Sequence, residues 1–133
     1  LLDSRVLAGI KAFNQGEYYT AHELWESVWR EAVPPEKEYY QGLIQAAMAL
    51  HHLNRGNAVG ASRLAERALQ HLNNFPSSYL RIDVSEIRQF LHSCSKDHPH
   101  EAAKSGKANS NERSSECRAF PRLTVFPTVT DNE

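Results

Sequence analysis

His22, Glu23 and Glu26 stand within YYTAHELWESVWR, residues 18–30, among four large aromatic side chains. On a helix, His22 and Glu26 lie one turn apart on the same flank. Such a pair can supply two ligands to one ion, or a base and the group that orients it. Glu23, the neighbour of His22, is then a candidate general base on a metal-bound water, because a bound metal lowers the pKa of that water toward neutrality. Two ligands do not complete a zinc site, which needs at least three protein donors. The pattern HExxE also lacks the second histidine of a zincin. The third donor has to come from another helix or from a partner chain.

The segment YYQGLIQAAMALHHLN, residues 39–54, is the best source because it carries no Asp, Glu, Lys or Arg. Leu43, Ala46, Ala47 and Leu50 form its apolar face. Gln41, Gln45, Met48 and His52 stack along the opposite one. A face open to water normally carries Lys or Glu, so this helix is expected to be covered all round. Buried amides and imidazoles need partners. The expected arrangement is a polar seam between the second and third helices, with His22, Glu26 and His52 as metal ligands. Gln41, Gln45, Tyr18 and Trp29 would line the seam or bind a substrate. The same residues also fit a second reading, a buried hydrogen-bond network that fixes helix register. Trp25 and Trp29 read as core or dimer interface, His51 as a core-margin histidine, and Glu66 as part of a solvated face with Arg63 and Arg67.

The elements that carry these residues follow from apolar spacing. Val6, Leu7, Ile10 and Phe13 define a first helix that Gly16 terminates. A second runs from about Tyr18 to Ala32, with Ala21, Leu24, Trp25 and Val28 inward, and Pro34-Pro35 ends it. The third spans about Glu36 to Asn54 and closes at Gly56. The fourth spans about Ala58 to Leu72. A fifth starts at Asp83 and Glu86 in a capping-box-like pattern. No convincing strand is visible. Sliding the chain by 40 residues lays FNQGEYYTAHELWE (13–26) over LNRGNAVGASRLAE (53–66), so Asn14, Gly16, Ala21, Leu24 and Glu26 meet Asn54, Gly56, Ala61, Leu64 and Glu66. Each copy is a helix end, a glycine turn and a following helix, which makes a helical hairpin used twice. The hairpin has a tetratricopeptide-like character, but two copies favour a compact bundle over an open solenoid. The expected fold class is all-α, a compact bundle of about five helices built on two helical hairpins.

At 133 residues the chain holds one small domain, and its mean hydropathy of −0.57 signals that part of the length is polar. Large apolar residues concentrate before Ser95. Residues 96–133, rich in Ser, Asn, Pro and charge, read as a disordered tail, leaving 1–95 as the helical domain. Within that tail RLTVFPTV has the composition of an edge strand or docking peptide, and its proline argues against a sheet interior. A net charge of −1 gives no electrostatic case for nucleic acid or an anionic membrane. No apolar run reaches membrane-spanning length. Cys94 and Cys117 show no ligand spacing and fit a reducing cytoplasm. The chain begins at Leu1 rather than Met, which leaves room for a removed targeting segment.

FNQGEYYTAHELWESVWR and YYQGLIQAAMALHHLNRGNAVGASRL together resemble the domain of unknown function family 309, a small all-helical family that carries the label of a metal-dependent hydrolase. The resemblance spans about Leu7 to Leu72. It rests on Phe-Asn-x-Gly, Ala-His-Glu-x-x-Glu-x-x-Trp, Gln-Gly-Leu-Ile-Gln and Arg-Gly-Asn-x-x-Gly-Ala. It implies that His22, Glu23, Glu26, Gln41, Gln45 and His52 occupy the family's polar positions. It also implies a divalent metal, with zinc, manganese and iron all compatible with oxygen-rich ligation. Two functions therefore compete: a metal-dependent hydrolase, and a non-catalytic helical module that binds a partner or forms a homodimer.

Overall fold

In the computed structural model, which describes residues 3–96 and 121–125, five helices follow one another along the chain. They are α1 (Ser4–Asn14), α2 (Tyr18–Glu31), α3 (Glu36–Asn54), α4 (Ala58–Leu72) and α5 (Ser85–Lys96). Each helix packs mainly on its neighbours in sequence, which is the arrangement of stacked hairpins. The expected all-α bundle is what forms, and helices 2 to 4 begin and end within a residue of the expected positions.

Both hairpin turns use the same backbone device. The Gly16 N–H donates to Phe13 O and the Glu17 N–H to Ala12 O; forty residues on, Gly56 donates to Leu53 O and Asn57 to His52 O. These are matching pairs of helix-terminating bonds, and each requires a left-handed residue. Gly16 (φ 86°) and Gly56 (φ 82°) supply it.

The helix starts differ in their chemistry. The Asp3 side chain caps α1 by accepting the Arg5 N–H at 2.8 Å. Arg5 then reaches Glu31 at 2.9 Å and tethers α1 to the end of α2. The Arg5 side-chain and backbone hydrogen bonds hold the Asp3 carboxyl at about 2, below its ordinary 3.8. A carboxyl depressed in the folded state contributes stability above its unfolded value, and that contribution is lost as pH falls through the folded one. Acid unfolding followed by circular dichroism should therefore show a slope between pH 3.8 and about 2 that Asp3→Asn flattens.

The core is one cluster that draws on all five helices. Trp25, Tyr39, Phe13, Leu43, Leu50 and Leu72 are its largest fully buried side chains. Phe13 meets the Tyr18 ring edge-on at 5.0 Å and the Trp25 ring at 5.9 Å. Glycine permits two close crossings. A Cβ at Gly9 would lie 2.3 Å from Trp25 Nε1, and one at Gly42 would lie 2.8 Å from Leu72 Cγ.

Three expectations need correction. First, strands exist. β1 (Ser78–Tyr79), β2 (Ile82–Asp83) and β3 (Thr124–Val125) form a small antiparallel sheet with β2 in the middle. Each is only two residues long, too short to show alternation in the sequence. Leu80 (φ 52°) and Arg81 (φ 64°) make the two-residue turn between β1 and β2, whose left-handed geometry matches the sheet twist. Second, residues 121–125 of the expected disordered tail lie against the bundle, with Pro121 and Leu123 buried. The rest of that tail lies outside the described residues. Third, α3 is not covered all round. Gln41, Gln45, Met48 and His52 are half-buried, so this stripe rims the surface.

Candidate functional site between the second and third helices

The face that α2 turns to the core carries Tyr18, Ala21, Trp25 and Val28. Tyr18 therefore belongs to the core and not to the seam. Its ring packs on Phe13, and burial pushes its hydroxyl up to about 12. Leu24, expected at the centre of the apolar arc, is only half-buried. The seam on α2 is the adjoining stripe of Tyr19, His22, Glu26 and Trp29, spaced three or four residues apart and so stacked along one edge.

His22 and Glu26 do come together, with Nε2 3.6 Å from Glu26 Oε1. Arg30 Nη2 approaches the same carboxylate oxygen at 3.9 Å. The His22 side chain keeps 17% of its exposure, and its Nδ1 is buried without a hydrogen-bond partner among the described residues. Gln45 Oε1 on α3 is buried and unpartnered in the same way. Glu23 is exposed.

The histidine of α3 that faces this pair is His51. The Tyr19 ring lies 5.1 Å from the ring of His22 and 5.4 Å from that of His51, so one tyrosine bridges the two helices. Desolvation, together with the neighbouring Arg55, His52 and His22, lowers the pKa of His51. His52 points elsewhere and lies 3.3 Å from Asn57 Nδ2 in the turn before α4. Tyr19 and His51 were missed by sequence reasoning. The signal for Tyr19 was its place one turn before His22. For His51 there was none, because adjacent helical residues differ by about 100° in direction and only the packing of α3 fixes which one faces α2.

At the other end of the seam, Trp29 is capped. Lys37 Nζ sits 4.1 Å above its ring centroid and donates to the Trp29 carbonyl at 2.9 Å. Trp29, Pro34, Lys37, Glu38, Gln41 and His71 line a shallow cleft of about 350 Å³. Within it, His71 Nδ1 lies 3.4 Å from Glu38 Oε2, which also accepts a bond from Asn74 at 2.8 Å.

This donor set does not fit a metal ion. Among the described residues no three His, Cys, Asp or Glu side chains converge closely enough to hold one. His22 and Glu26 supply two donors, and His52 is committed to Asn57. Among the described residues, too, no helix is long and apolar enough to cross a membrane.

An all-helical domain of stacked hairpins with a His/Glu/Gln seam is thus what the fold and its polar edge define. Residues 6–64, from α1 into the first half of α4, match the model of the family described as "Domain of unknown function (DUF309)". The seam lies wholly inside the match. An "Uncharacterized protein" of Aquifex aeolicus (strain VF5) is 40% identical over 81 residues, covering 60% of this chain and 24% of that protein. The "Uncharacterized protein YpuF" of Bacillus subtilis (strain 168) is 40% identical over 55 residues, covering 41% of this chain and 32% of that protein. The matched stretch therefore amounts to about a quarter to a third of the length of these relatives.

Proposed function

We propose that the domain is a non-catalytic interaction module that forms a homodimer through the α2–α3 face. The observation behind this reading is the stripe of Gln41, Gln45, Met48 and His52 on α3, which carries no Asp, Glu, Lys or Arg and yet is only half-buried. A face left open to water normally carries such charges. A second copy of the same stripe, packed on it across a two-fold axis, would complete its burial. Met48 on the same stripe and the exposed Tyr19 ring supply the apolar contact that such an interface needs.

Metal-dependent hydrolysis, with Glu23 as base and zinc, manganese or iron as the ion, is the competing reading, and the His22–Glu26 approach is what favours it. Among the described residues it lacks a third donor, and Glu23 is exposed.

Sedimentation equilibrium separates the two when run beside elemental analysis of the same tag-free sample. The expected result is a metal-free dimer that Met48→Arg converts to a monomer of unchanged helicity. A wild-type chain that stays monomeric at every accessible concentration would sink the dimer. Stoichiometric metal that is lost in His22→Ala would restore the hydrolase.

A further inference from the structure

A second site lies on the other side of the bundle. The Asn14 carboxamide, at the last residue of α1, forms two hydrogen bonds with the main chain of one residue far along the sequence. Its Nδ2 donates to Leu123 O at 2.9 Å, and its Oδ1 accepts the Leu123 N–H at 2.8 Å. On one side of this clamp, Glu86 Oε1 in the first turn of α5 accepts the Arg122 N–H at 2.9 Å. On the other side, β3 pairs antiparallel with β2, Thr124 opposite Asp83 and Val125 opposite Ile82. The Leu123 side chain drops into the core cluster with 3% exposure, while Arg122 and Thr124 point to solvent.

Every polar contact in this set reads main chain. An amide that pairs with both the N–H and the C=O of one residue recognises any extended segment, whatever its side chains. A strand edge that adds one more strand does the same, and this is a recurring mode of peptide recognition. Sequence selectivity rests on the buried leucine, flanked by a buried proline and a half-buried valine. Among the described residues the β2–β3 ladder is two residues long, and Pro121, Leu123 and Val125 are the side chains that the segment buries or half-buries. Residues 121–125 thus form the edge strand of the small sheet, seated by main-chain bonds and one apolar anchor. Glu86 shows the same division of labour. The sequence suggested that it would cap α5 reciprocally with Asp83, yet Asp83 alone accepts the Ser85 N–H and hydroxyl, and the Glu86 carboxylate is turned to the segment.

We infer that Asn14, the outer edge of β2 and Glu86 form a binding site for an extended peptide, held in cis by residues 121–125. The ligand class is a segment of a partner protein carrying leucine at the clamped position with a β-former after it. Because the cis segment is tethered, it competes at a high effective concentration, and a partner has to displace it.

The test uses the full-length chain and a fluorescein-labelled peptide of sequence AFPRLTVFP, read by fluorescence anisotropy. Leu123→Asp removes the side chain that seats the cis segment and leaves the groove intact. It should bind the peptide at least about tenfold more tightly than wild type, because the tethered competitor is gone. The double variant Leu123→Asp/Asn14→Ala should lose that gain, as should a peptide with aspartate at the leucine position. Equal binding by wild type and Leu123→Asp, or binding by neither, overturns the proposal. So does a Leu123→Asp chain that no longer melts cooperatively, since residues 121–125 would then be an integral strand. A wild-type dimer that Leu123→Asp abolishes would assign the groove to a second copy and remove the partner protein.

Discussion

Trp25→Ala is expected to destabilise the fold by about 3–5 kcal/mol, the range for truncating a fully buried large aromatic. Trp25 is fully buried, touches Phe13, and donates its indole N–H to the Val6 carbonyl at 3.2 Å. Against a total stability of about 5–15 kcal/mol for a small domain, such a loss takes a large share. It should appear as a sharply lower urea midpoint. Trp29, four residues on, is the internal control. It is half-buried and stacked under Lys37, so Trp29→Ala should cost only about 1 kcal/mol. If the two variants behaved alike, the assignment of α2's buried face would be wrong.

Gly9→Ala should also destabilise, and the sign is the informative part. In an exposed helix interior, alanine is favoured over glycine by about 1 kcal/mol. Here the new Cβ would stand 2.3 Å from Trp25 Nε1 and 2.6 Å from Trp25 Cδ1, distances that no real contact sustains. The indole or the α1 backbone must move, and overpacking of this kind costs about 1–3 kcal/mol. The net expectation is a loss of up to about 2 kcal/mol, accompanied by a shift in tryptophan fluorescence as the indole gives up its bond to Val6. A more stable Gly9→Ala protein would show that the indole has room to rotate away, which its full burial argues against. Gly42, packed on Leu72 and His71, should behave in the same direction.

The helices were legible because apolar spacing and two glycine turns are local signals. Phe13 to Gly16 and Leu53 to Gly56 announce the same bend, and each bend is built from the same pair of hydrogen bonds. What sequence spacing could not resolve was rotation about a helix axis. Placing Tyr18 in the seam and Leu24 in the core misjudged α2, which packs on α1 along one side and α3 along the other, a wider contact than one apolar arc suggests. Choosing His52 over His51 was the same kind of error. Two neighbours on one helix are equivalent in sequence, and only tertiary packing separates them. β1 and β2 escaped notice because two residues carry no period, whereas β3 falls within RLTVFPTV, read as an edge strand or docking peptide; Asn14 gave no hint of a partner 109 positions away.

That separation also has a meaning in time. The helices assemble through contacts between sequence neighbours, which close early and quickly. The Asn14–Leu123 clasp closes the longest loop and has to come last. As a ribosome extends the chain from its amino end at about 5–20 residues per second, α1 to α3 can pack while residues 121–125 have yet to be made. Each nascent molecule therefore holds the end of α1 in place, with the Asn14 carboxamide unclasped, before Leu123 exists to meet it.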